Sequence, residues 1–155
     1  MNDSGPPRRE RVTPLRANAL AAVVMLLIQY SLGISVNLYS TLPAADRGKS
    51  LFGGLPAAVG NGPVLLTLHA LLGTLLLVTA LAAFVRSLRL GARPAMALTS
   101  VALLAILVAW MAGSEFVGHQ KNGASLAMAL ATAAAILCYT LVVFLLGGSR
   151  QARSA

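Results

Sequence analysis

The sequence predicts an all-α polytopic membrane protein: a four-helix transmembrane bundle of up-down-up-down topology. Three observations carry this. Residues 17–45, 50–85, 94–114 and 122–149 contain no Lys, Arg, Asp or Glu, and each reaches the roughly 20 residues that a helix needs to cross a hydrocarbon core about 30 Å thick. Bulk composition agrees, at 57% hydrophobic and 10% charged residues with a mean hydropathy of +0.79. The cations alternate between the connections. Arg8, Arg9, Arg11 and Arg16 precede the first run, Arg86, Arg89 and Arg93 follow the second, and Arg150 and Arg153 follow the fourth. Only Arg47, Lys49 and Lys121 are left for the opposite face. Nine against three makes the arginine-rich face cytoplasmic, with both termini on that side.

This placement also explains the net charge of +8. In a soluble chain such a charge would suggest phosphate neutralisation on nucleic acid. Here it orients the chain in a lipid bilayer, and no nucleic-acid partner is expected. The first run is too long for a cleaved signal peptide and lacks a small-x-small site. Arg8-Arg9 has none of the rest of a twin-arginine signal. Cys138 is the sole cysteine, so no intrachain disulfide or CxxC site exists, and the thiol is expected to act as a small hydrophobe.

Residues 1–14 read as a disordered polar tail. The first helix is expected over about 15–41, stopped by Pro43. An outer loop from Pro43 to Gly62 follows, rich in Gly and Pro, with Leu51, Phe52 and Leu55 resting on the membrane surface. Pro63 opens the second helix, over about 63–88, where a missing N–H costs nothing. Gly91 and Pro94 turn the chain into a third helix over about 95–116 or further. Ser125 is the expected N-cap of the fourth, over about 125–146. Residues 15–148 thus form the transmembrane domain, and 149–155 a second cytoplasmic tail. Short connections make neighbours antiparallel.

Helices in lipid associate through small faces and polar contacts. Ser125, Ala129 and Ala133 form such a face on the fourth helix. Gln29, Gly33 and Asn37, spaced by four on the first, put two amides on one side that must face the bundle interior or a wet cavity. Interhelical hydrogen bonding is the favoured reading of this stripe, ahead of a functional lining.

The second helix carries His69 six residues after Pro63, roughly 9 Å below the outer end. Imidazole at that depth calls for a partner, a proton role or a metal. Gly73 lies one turn deeper on the same face and leaves space beside the ring, which suits a haem edge or plain close packing. On the third helix Met111, Glu115 and His119, spaced by four, share a face near the same end. Three ligand sets follow: His69 with His119, His69 with Met111, or a metal site from His69, Glu115 and His119. Depth favours Met111 over His119 as a second haem ligand. The bland readings are a polar outer loop with Glu115 paired to Lys121, and interface anchors in Tyr39, Trp110 and Phe116.

The segments Gly33-Ile34-Ser35-Val36-Asn37-Leu38-Tyr39, His69-Ala70-Leu71-Leu72-Gly73 and Asn122-Gly123-Ala124-Ser125 resemble small, uncharacterised four-helix membrane proteins of high-GC bacteria. The likeness covers most of the chain and implies no activity; together with the charge placement it makes the bacterial cytoplasmic membrane the expected location of this multi-pass chain. More distantly, the His-bearing bundle is similar to haem-b membrane cytochromes and to one half of haem A synthase, where paired helical histidines hold the haem. That resemblance implies haem b, with His69 at the matching position and His119 at a helix end.

Enzyme signatures are absent: no HExxH pair, no Walker lysine loop, no intramembrane Ser/His/Asp set. The functional expectations are therefore a haem- or metal-binding electron-transfer bundle, a scaffold that binds another membrane protein or a copy of itself, or a small transporter or quinone-binding protein.

Overall fold

The structure, a computed structural model, describes residues 8–40, 51–60, 62–119 and 122–148. Among these residues every regular element is a helix: α1 (Arg8–Tyr39), α2 (Leu51–Gly60), α3 (Val64–Leu90), α4 (Arg93–His119) and α5 (Asn122–Gly148). Four of them, α1, α3, α4 and α5, are long and apolar enough to span a membrane. They form a closed ring in which α1 and α4 each pack against both α3 and α5, while the short α2 rests on α3 and α4. The protein is an integral membrane four-helix bundle.

Several boundaries depart from expectation for local reasons. Arg8 to Pro14, read as a disordered tail, belong to α1. Pro14 lies inside the helix and is exposed, so the carbonyl it leaves unbonded four residues back can take water instead. Pro63 caps α3 from outside with φ −55° and ψ 150°, and its carbonyl accepts from the Thr67 amide at 3.0 Å. The turn after α3 is closed by Gly91, whose φ of 69° lets its N–H reach the carbonyls of Ser87 and Leu88. A side chain would strain that left-handed position. The helix α4 continues to His119, and α5 begins at Asn122, which places Ser125 within α5 rather than at its cap. Part of the expected outer loop is the helix α2. Gly53, Gly54 and Pro56 punctuate its sequence, and its hold on the bundle is tertiary: Ala58 is 2% exposed, and its carbonyl accepts from Thr67 Oγ1 at 3.0 Å. Pro43 and Lys121 lie outside the described residues.

The bundle has two cores. At the arginine-rich end Leu15, Ala19, Ala22, Ala80, Ala83, Ala95, Ala102, Ala135, Tyr139 and Val142 pack together, with Cys138 among them. Seven alanines in this set bring the helix backbones close, the mode of association available in lipid. Ser87 and Thr99 join α3 to α4 there through a buried hydroxyl pair at 2.8 Å. A smaller core at the opposite end unites Val36, Ala58, Leu66 and Val117. Long apolar side chains such as Leu27, Leu75, Leu104, Leu130 and Phe144 point outward. In a lipid-solvated bundle that exposure costs nothing.

Candidate ligand chamber

Between the two cores lies a cavity of about 250 Å³. Its floor is Leu26, Leu76 and Ile106 of the larger core, and its roof is Ala58, Leu66 and Val117 of the smaller one. All four long helices contribute walls, and none of the described lining residues is Asp, Glu, Lys or Arg.

Asn37, Ser114, Ser125 and Thr132 add polar groups to the lining, and a reciprocal contact joins α1 to α3 across it. Gln29 Nε2 donates to the His69 backbone carbonyl at 3.0 Å and lies 3.3 Å from His69 Nε2. Each side chain fits beside the other helix's glycine. A Cβ placed on Gly33 would stand 3.1 Å from His69 Cε1, and one on Gly73 would stand 3.0 Å from Gln29 Nε2. Because α1 and α3 are antiparallel, Gln29 with Gly33 and His69 with Gly73, each spaced by four, interlock. Two atoms of this pair stay buried without a hydrogen-bond partner: Gln29 Oε1 and His69 Nδ1. Orphaned polar atoms are costly in an apolar surround.

Trp110, expected as an interface anchor, instead lines the chamber and points its Nε1 toward Thr74 Oγ1 at 3.4 Å. Thr74 in turn bonds back to the Ala70 carbonyl at 3.0 Å. On α5 the lining is Ser125, Met128, Ala129 and Thr132. Met128 passes close to Gly113, whose Cβ position lies 3.4 Å from its sulfur, and its flexible thioether gives that wall room to adapt. Ala133, grouped with Ser125 and Ala129 as a small face, points outward.

One side of the chamber is open. Near the arginine-rich end α1 meets α5, where a Cβ on Gly147 would lie 3.6 Å from Arg16 Nη2. Tyr30 is 45% exposed, and Ile34, one turn on, is 46% exposed, although both line the cavity. The chamber thus reaches the surface along this flank of α1.

Of the expected site residues, His69 and Gly73 line the chamber; Met111, Glu115 and His119 are not among its lining residues. Met111 is 44% exposed, and His119 stands exposed at the end of α4. Among the described residues no three His, Cys, Asp or Glu side chains gather as a metal site, so the His69, Glu115 and His119 set is not assembled. A haem fares no better. The space expected beside His69 at Gly73 holds the Gln29 amide, Gly33 closes the ring's other flank, and Nε2 is occupied by Gln29. Neither Met111 nor His119 lines the chamber, so the residues present do not fit the group. Sequence reasoning found Gln29 and His69 separately and missed that they meet; the paired spacing to Gly33 and Gly73 was the available signal.

No protein-family model, characterised protein or solved structure matches this chain.

Proposed function

We propose that this protein is a membrane-embedded binding protein for a small uncharged amphiphile, taken up sideways from the outer leaflet. The observation that carries the reading is the chamber itself, an apolar cavity of about 250 Å³ containing one under-satisfied polar pair. Recognition sites for small molecules are mostly apolar with a few placed polar groups. An apolar cavity of about 150 Å³ suffices for benzene, so this one suits a substituted ring whose tail leaves beside the half-exposed Tyr30 and Ile34. The positive-inside placement of the arginines supports a chamber on the outer side of a bacterial cytoplasmic membrane. Ring head groups bearing hydroxyls, such as hydroquinones, belong to the class that such a site takes.

Electron transfer through haem has less support, for the steric reasons above. A scaffold role also has less support, because the small face of Gly33 is spent on His69 inside the bundle. The test is extraction. Protein purified in mild detergent, stripped with organic solvent and compared by mass spectrometry with an Ala129→Phe variant should carry a low-mass neutral compound that the variant lacks. Identical extracts from the two proteins would argue against the proposal.

A further inference from the structure

The hydrogen-bond geometry of Gln29 specifies the chemistry of the ligand. Its amide cannot be turned over. The group 3.0 Å from the His69 carbonyl oxygen must be the NH₂, because two oxygens there would repel. That NH₂, a donor only, also lies 3.3 Å from His69 Nε2. An N–H on Nε2 would place two donors head to head, so the contact favours the tautomer with the lone pair on Nε2 and the proton of the neutral ring on Nδ1. The two orphaned atoms therefore differ in kind. Gln29 Oε1 is an unfilled acceptor and His69 Nδ1–H an unused donor.

We infer that the chamber selects an uncharged hydroxyl-bearing lipophile, such as an alcohol, phenol or hydroquinone. Its O–H donates to Gln29 Oε1, and an oxygen of the same head group accepts from His69 Nδ1–H. A ligand with acceptors only leaves Oε1 unpaired. A carboxylate sets its charge against Oε1, and an ammonium sets its N–H groups against Nδ1–H; neither finds a counter-charge among the described lining residues. Both atoms are buried in the free chamber, so binding includes a small displacement of the imidazole or the amide. This inference rests on the proposed ligand-binding role and adds the ligand's hydrogen-bonding class.

The test pairs para-bromophenol with para-bromoanisole, its methyl ether, on the protein in lipid nanodiscs. Trp110 is the only tryptophan and lines the chamber, so bromine quenching of its fluorescence reports occupancy. After correction for partition into protein-free discs, the phenol should bind about tenfold tighter than the ether, and Gln29→Leu should abolish that preference. Nitrogen NMR of histidine-labelled His119→Gln protein, which leaves His69 as the single histidine, should show the proton on Nδ1 without any ligand. Equal affinity of phenol and ether, or a proton on Nε2, would overturn the inference and leave ligand binding intact. No saturable quenching by either probe would overturn both.

Discussion

Gln29 and His69 face each other across α1 and α3 with their side-chain nitrogens 3.3 Å apart, and each fills the space beside the other's glycine. This interlock joins the two helices in the half of the bundle where the alanine-rich core no longer does. Interhelical polar contacts in membrane proteins average about 0.6 kcal/mol and reach about 1.7 kcal/mol. A double-mutant cycle with Gln29→Leu and His69→Leu, read by reversible detergent unfolding, should return a coupling in that range. A coupling of zero would mean that the contact does not form.

The glycines should respond oppositely to alanine. Gly33→Ala puts a methyl 3.1 Å from His69 Cε1, and overpacking of this kind costs about 1–3 kcal/mol. Gly123 has nothing within 4 Å of a new Cβ, and in the first turn of α5 the exchange should be neutral or stabilise by up to about 1 kcal/mol. Thermal unfolding of the two variants checks the signs.

The two halves of the bundle should differ equally in their tolerance of bulk. Ala102 has 0% exposure in the alanine-rich core, so Ala102→Leu should destabilise by about 1–3 kcal/mol. Ala129 borders the chamber, and Ala129→Leu should fold with little penalty because its added carbons enter free space. Equal losses from both would mean that the chamber is closed in solution.

Topology is checked by cysteine labelling. Cysteines placed at Lys49 and Arg89 should react from opposite sides of the membrane, while the native Cys138, 7% exposed within the core, stays unlabelled. Labelling of both positions from one side would contradict the four-span arrangement.

The fold was legible because its causes are one-dimensional. Charge-free runs longer than a bilayer crossing show directly in the chain, and Gly91 marks its turn by its own identity. The helix α2 was not legible. Its Gly-Gly-Leu-Pro stretch reads as a loop, and only contact with α3 and α4 holds it helical. The site was half legible. His69 and Gly73 stood out as an ionisable group and a gap, but the occupant of the gap is a side chain 40 residues away in sequence. No local pattern names such a partner. Met111, Glu115 and His119 share a face by spacing, yet spacing alone cannot say which way that face turns. Exposure of Met111 answers that, as does the inward turn of Trp110, which its position near the outer end of the helix had suggested as an interface anchor.

The central claim is that the chamber holds a ligand. Its most direct test is saturable quenching of Trp110 by para-bromophenol, compared between wild-type protein and Ala129→Phe in the same nanodiscs. The phenylalanine ring would occupy the chamber without touching the tryptophan's identity. Saturable quenching in the wild type, reduced in Ala129→Phe to the linear quenching that lipid partition alone produces, is the result expected. Identical quenching curves for the two proteins would contradict it.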